Sequence, residues 1–452
     1  MVAKINRLIS RLFAHIAVIA GCLTASPVVA DNISLITDAE TQDYLAQIVK
    51  PLYQAANLTF NPYSIFLVND NSLNAFVSDG NYLFVHTGTL IEAENTNEIA
   101  GILAHETGHI MGGHIVRQKL KLEKLQYAML GSMLVAGATA LSTGRGDAAM
   151  AVLLGSQSSA FNNMLNYQMQ EERSADESAV KLLQKTKQST LGLQKFMKKI
   201  KKKNYFGGIE ENTYFRTHPL TSERIAHFIE ASKNNKYPAN NPLDSKFSMI
   251  KAKLIAFLLP KEKVRRMYPT SNTSLPAQYA HSIVLFREGN IQQSLDGLEK
   301  LITAQPHNPY LHELKGQFLF ESGSTKQSIS AYQQALTLLP NNYILQISLA
   351  HAILESSASP ADIQQAVNLL QKSLVTVNNA FSWELLARAY DMQNNKAAAQ
   401  YATAEFNYAI GKLENAQAQL ERAENSTSDK GLKLKISDLK QRIKTELKEK
   451  RF

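Results

Sequence analysis

The last third of the chain recurs at a fixed interval, and that interval restricts its fold more than any other feature. Gly289 and Gly323 stand 34 residues apart, and so do Pro306 and Pro340. A period of this length holds two short helices and two turns. A unit so small cannot bury its own apolar side, so neighbours must stack into a solenoid.

Within the second unit Leu314, Gly316, Ala331, Tyr332, Ala335 and Pro340 fall on the tetratricopeptide pattern of two antiparallel helices. Segments 342–374 and 381–406 continue it less regularly, with Ser356 to Pro360 as a small insertion and a degenerate helix over 408–423. The solenoid is therefore expected over 277–423, followed by a basic helix over 424–452. The preceding segment, 259–276 (from LPKEKVRRMYPT), is rich in Pro, Ser and Thr and reads as a linker.

Upstream, residues 38–57 show helical spacing, and short β-rich runs follow at Ser64 to Val68 and Tyr82 to Val85, with Asp79-Gly80-Asn81 as the turn before the second. Helical period returns over 96–122, with Asn95 or Thr96 as N-cap. Residues 128–155 hold two apolar stretches around Ser142 to Asp147, each below spanning length. They read as a buried helical hairpin, or alternatively as a flap or membrane-interface element over a site.

The leader segment sets the compartment. Lys4, Arg7 and Arg11, the apolar run Leu12 to Leu23 and the small-residue site Val28-Val29-Ala30 have the layout of a secretory signal peptide over 1–30. Ile19-Ala20-Gly21-Cys22 also resembles a lipoprotein box, which would make Cys22 an acylated N-terminus. That cysteine is the only one in 452 residues, so neither an intramolecular disulfide nor a multi-thiolate metal site can form. Without residues 1–30 the net charge falls from +9 to +6, concentrated in Lys195 to Lys203 and in the last 23 residues. Two local basic faces suit a protein or membrane surface and exclude a general nucleic-acid binder.

His105-Glu106-Thr107-Gly108-His109 lies inside the 96–122 helix. A spacing of four puts both imidazoles on one face, where they can chelate Zn²⁺ while Glu106 reaches an activated water. A third ligand is needed. His114 is one residue short of the position a third-histidine motif requires, where Ile115 stands, and it points off the ligand face. Glu172 and Asp176, four apart on a later helix, fit better: Glu172 as ligand and Asp176 as hydrogen-bond partner of a ligand histidine.

HETGHIMGGH, ERSADESA and the segment from Arg216 to Arg224, followed by tetratricopeptide repeats behind a signal sequence, resemble the periplasmic beta-barrel assembly-enhancing protease family, whose peptidase domain is related to HtpX and the CAAX-prenyl proteases. The family commonly shows a second Glu where Ser174 stands. Glu172 is kept as the ligand on its offset to Asp176, with Glu171 as the alternative. The resemblance implies a mainly α chain: a zincin-type metallopeptidase domain with a small β-sheet over 31–258, then the tetratricopeptide α-solenoid. It implies one zinc held by His105, His109 and Glu172, Glu106 as general base, and His218 either as a fourth, inhibitory ligand or, aided by Arg224, as oxyanion stabiliser. The substrate would add as a strand beside an edge formed by Tyr82, Leu83, Phe84 and Val85, with Asn74-Ala75-Phe76 also similar to the family's substrate side. The implied partners are unfolded or misassembled outer-membrane proteins and the β-barrel assembly machinery, in the periplasm, the repeats serving as docking surface or chaperone.

Overall fold

The computed structural model describes residues 34–124, 132–133, 135, 146–207, 218–219 and 221–449. The signal-like segment and most of residues 125–145 lie outside them. The chain divides into two compact units, one of residues 34–36 and 41–251 and the other of 37–40 and 252 onward.

The first unit is built on one helix and a small sheet. Strands β1 (Leu35–Ile36), β2 (Ile65–Val68), β3 (Ala75–Ser78) and β4 (Tyr82–His86) are ordered β1-β2-β4-β3. β2 and β4 are parallel, while β1 pairs antiparallel with β2 and β3 with β4. The β3–β4 turn uses Gly80 and Asn81, both at positive φ, residue types that accept the left-handed region. Phe66, Phe84 and Phe76 stack across three strands at 5.2 and 4.9 Å between ring centroids. On the opposite face Ile65, Leu67, Ala75, Val77, Leu83 and Val85 are buried.

This topology corrects one expectation. The strand carrying Tyr82, Leu83, Phe84 and Val85 is hydrogen-bonded on both sides and has no free edge. The hairpin folds the shorter β3 to its outside, so the edge belongs to Ala75–Ser78.

Helices α1 (Ala39–Ala55) and α2 (Thr87–Glu92) precede α3 (Thr96–Met111). Asn95 caps α3 by accepting from the Glu98 N–H, and Asp244 accepts the Thr96 N–H at 2.9 Å. Residues 96–109 are all buried, so its apolar members carry the packing and its polar members need internal partners. Two later helices, α4 (Gly146–Lys185) and α5 (Leu191–Gly207), approach α3 closely at glycines. A Cβ on Gly108 would lie 2.7 Å from the Ala175 carbonyl of α4, and one on Gly101 would lie 2.9 Å from Leu193 Cβ of α5. In the basic run of α5, Phe196, Met197 and Ile200 are buried and Lys199 is bonded to Glu98 at 2.9 Å, while Lys195, Lys198, Lys201 and Lys202 are exposed.

The reading of 128–155 as a buried hairpin fails among the described residues. Met133, Val135 and Leu154 are 52, 56 and 59% exposed. Helix α4 instead runs 40 residues without a break, carrying the apolar stretch into the segment that holds Glu172. Helix α6 (Ser222–Lys233), capped by Thr221, and α7 (Asp244–Leu258) follow.

The second unit is a helical solenoid. After α8 (Lys261–Met267), which lies within the segment read as a linker and buries Val264, the helices pair as α9 (Leu275–Arg287) with α10 (Ile291–Ala304) and α11 (Pro309–Glu321) with α12 (Thr325–Leu338). Next come α13 (Tyr343–Glu355) with α14 (Pro360–Thr376), then α15 (Ala380–Met392) with α16 (Lys396–Ala409). The 34-residue signal has a local cause. Gly289 and Gly323, and Asn394 in the last pair, take the left-handed conformation that reverses the chain inside a hairpin. Asn308, Asn342 and Asn379 cap the first helix of successive pairs. The third pair turns through Ser356 to Ser359 and restarts on a Ser359–Asp362 capping box, which accounts for its irregular spacing. Helices α17 (Leu413–Asn425) and α18 (Lys430–Glu449) end the array, with Ile436, Leu439 and Ile443 buried against Leu413, Ala416, Leu420 and Ala423. Lys253 is buried in this unit with Asp38, Glu40 and Glu313 around it, and Tyr279 donates to Glu40 at 3.1 Å.

Because α3 and α4 touch backbone to side-chain space at Gly108, Gly108→Ala should lower the unfolding midpoint of the full chain by several degrees, about 1–3 kcal/mol of overpacking. Differential scanning calorimetry checks this, with Gly113→Asn, at an open left-handed site, expected to change little.

Candidate metal centre

Three helices converge on one polar cluster. α3 presents His105, Glu106 and His109; α4 presents Glu172 and Asp176; and His218 sits just before α6, which carries Arg224. All seven are buried, each 7% exposed or less.

Several of the nitrogens and oxygens that face inward lie close together. His105 Nε2 is 3.1 Å from His109 Nε2, 3.3 Å from His218 Nδ1 and 3.3 Å from Glu172 Oε2. Glu172 Oε1 is 3.3 Å from His109 Nε2 and 2.9 Å from His218 Nδ1. Four donors held tetrahedrally at bonds of about 2.0–2.1 Å would stand roughly 3.3 Å apart; the donor atoms here all lie within 4.8 Å of one another, close enough to share one ion. His105, His109, Glu172 and His218 are the one such group among the described residues. Glu171, the alternative ligand, faces away, with Arg117 Nε at 3.9 Å.

Around these donors runs a second set of bonds. His105 Nδ1 meets Asp176 Oδ1 at 2.8 Å. Arg224 then grips Asp176 with Nε at 2.6 Å and Nη2 at 2.9 Å, and reaches Glu172 Oε2 with Nη1 at 2.8 Å. Arg224 also donates to the Pro219 carbonyl at 2.9 Å, fixing the residue after His218. The guanidinium is thus committed to two carboxylates. This corrects the expectation that Arg224 assists at an oxyanion: it neutralises the buried anions and ties α6 to α4.

The charge states follow from these contacts. Burial alone would raise Glu172, but the neighbouring His218, His105 and His109 hold its carboxyl well below the usual range. Asp176 is also lowered, its burial outweighed by His105 and Arg224. Burial pushes His109 down to about 3. For His105 burial works the same way, but bonds to Asp176 and Glu172 prevail and raise it to about 10. Glu106 behaves differently. Both its oxygens lack a hydrogen-bond partner, and burial raises its pKa. His218 Nε2, at 3.5 Å from Oε1, is its ion-pair neighbour. An uncommitted buried carboxylate beside converging imidazoles is arranged to accept a proton.

The comparisons agree with this chemistry. Residues 39–232 match peptidase family M48. That segment is thus similar to M48 peptidases. The beta-barrel assembly-enhancing protease of Escherichia coli K12 is 24% identical over 86% of this chain and 80% of its own length. A putative beta-barrel assembly-enhancing protease of Vibrio cholerae is 27% identical over 81% of this chain and 76% of its own. The metalloprotease YcaL of E. coli K12 is 29% identical over 42% of this chain and 70% of its own. The resemblance to assembly-enhancing proteases therefore spans most of the chain, and the protein is a metallopeptidase.

Two residues of the matched segment escaped the sequence reading. Tyr53 of α1 is buried with an unpartnered hydroxyl, its pKa pushed to about 12 by burial and by the charge of Glu106. Nothing in a helical apolar pattern marks it. His114, set aside because it points off the ligand face, contacts His109 directly at 2.9 Å between Nδ1 atoms. The Gly112-Gly113 pair was the available signal.

Asp176→Asn removes the anion behind His105 while keeping the side-chain volume. Metal affinity should fall about 10–100-fold in competition with a chromophoric chelator, whereas Glu171→Gln should leave it unchanged.

Proposed function

We propose that the chain is a zinc-dependent metalloendopeptidase of the periplasm that degrades misassembled outer-membrane β-barrel proteins and assists their assembly through its repeats. The observation that carries the proposal is Glu106, buried, without a hydrogen-bond partner and beside a His, His, Glu, His donor set whose atoms lie within 4.8 Å of one another. Nitrogen and carboxylate donors in fourfold number, with no thiolate among them, favour zinc.

His105, His109 and Glu172 would hold the ion. When bound, it supplies Lewis-acid polarisation of the scissile carbonyl and acidifies water. Glu106 takes the water's proton and delivers it to the leaving amine, a role its raised pKa suits. Arg224 and Asp176 keep Glu172 and His105 oriented throughout. The substrate adds as a strand along β3, whose outer side has no partner among the described strands. Backbone pairing at that edge is indifferent to sequence. Selection for unfolded apolar chains is supported by Val116, Leu120, Leu165 and Met169, all exposed on the helices next to the site.

The position of His218 supports a second reading, a chaperone or assembly factor whose peptidase is latent. Its Nδ1 occupies the fourth corner of the donor set, which closes the place where water must enter. Periplasmic location rests on residues 1–30, the β-barrel assembly machinery as partner rests on the relatives' names, and a membrane surface as contact rests on the basic faces; fractionation and crosslinking address these. Among the described residues no helix is long and apolar enough to cross a membrane.

Casein hydrolysis and metal content of the purified full chain test the central reading. Glu106→Gln should keep about one zinc per chain and lose at least ~10²-fold in turnover. His218→Ala should raise turnover if latency is its role. Zinc far below one per chain in the wild type would refute the proposal, and retained rescue of barrel assembly by Glu106→Gln would favour the chaperone.

A further inference from the structure

His114 is placed by a break in its own helix. α3 stops at Met111, Gly112 closes it with its N–H on the Gly108 and Ile110 carbonyls, and Gly113 takes φ +60° before helix resumes at 114. On an uninterrupted helix residue 114 would lie about 140° around the axis from residue 109. The break instead turns the ring back onto His109, with centroids 4.9 Å apart and planes at 82°. A Cβ on Gly112 would stand 2.2 Å from His114 Nε2, so that glycine leaves the room the ring occupies. His114 is 1% exposed, and it is not one of the four clustered donors.

The proton count on the two rings assigns the direction of their bond. His109 Nε2 faces the donor cluster and can serve a metal only without a proton, so a neutral His109 carries its proton on Nδ1. That Nδ1–H points at His114 Nδ1, 2.9 Å away, which must then be an acceptor with its own proton on Nε2. The opposite arrangement would put a proton on His109 Nε2, against His105 Nε2 at 3.1 Å, and block the site. We propose that His114 is a positioning residue of the metal centre, fixing His109 in the tautomer whose Nε2 lone pair is directed at the ion. It does for His109 what Asp176 does for His105, but with a neutral group. Charge explains the difference: among the described residues Glu106, Glu172 and Asp176 already share the buried cluster with one guanidinium, that of Arg224, and a further carboxylate there would add to the acidic excess.

The inference rests on the metal-site reading, and metal binding is its readout. The full chain, stripped of metal, is titrated with Zn²⁺ against a chromophoric chelator and with Co²⁺ by visible absorption. His114→Phe keeps the bulk and removes the acceptor; His114→Asn keeps an acceptor oxygen near the Nδ1 position. The Phe variant should bind Zn²⁺ about 10–100-fold more weakly and give an altered Co²⁺ spectrum, while the Asn variant should recover most of both. His114→Leu carries the same comparison if the Phe chain does not fold. Affinity within twofold of wild type without the acceptor, or an Asn variant as weak as Phe, would overturn the role of His114 and leave the metal site standing. A wild-type chain that binds no metal would instead fail the metal-site reading itself.

Discussion

The bidentate bond between Arg224 and Asp176 is the joint on which the site depends. Asp176 faces His105 on one side and the guanidinium on the other, and the same guanidinium reaches Glu172. One cation thereby ties α6 to two buried carboxylates of α4 and, through Asp176, to His105 of α3. Without it, Asp176 and Glu172 would be adjacent anions at low dielectric with only the imidazoles of His105, His109 and His218 to offset them. The packing of α6 on α4 and the anionic state of the site's carboxylates therefore share one electrostatic contact.

Backbone geometry supplies the complementary constraint. Glycines at 101 and 108 let α5 and α4 come within contact distance of α3, and Gly112-Gly113 ends it where His114 must fold back. The two motif histidines are consequently buried, and each has a partner of its own for Nδ1. Glu106, on the same helix, is the member left without one, which separates the group that must react from those that must stay fixed.

How much of this could be read from the sequence depended on whether the signal was local. The spacing of His105, Glu106 and His109, and the offset of four between Glu172 and Asp176, are properties of a single helix, and the structure brings those residues together. The repeat was legible for the same reason: Gly289 and Gly323 hold local turns, and Pro306 and Pro340 keep the same interval. Three features were not local. Strand order is a property of pairing, so β4 could not be recognised as an inner strand from the run Tyr82 to Val85. Arg224 was placed at an oxyanion because its distance in sequence from His218 said nothing of Asp176, 48 residues away. His114 was dismissed on straight-helix geometry that two glycines abolish, and the charge set around Lys253 joins residues up to 239 positions apart in the chain through Glu40 and Tyr279.

What occupies the space between His105, His109, Glu172 and His218 decides the chemistry of the site. X-ray absorption at the zinc edge of the full chain, purified without added metal, addresses it directly. Nitrogen and oxygen scatterers alone, at about 2.0–2.1 Å, in a first shell of three or four with the outer-shell pattern of imidazole, are expected. A sulfur shell near 2.3 Å, a six-oxygen shell, or no zinc at all would contradict that expectation.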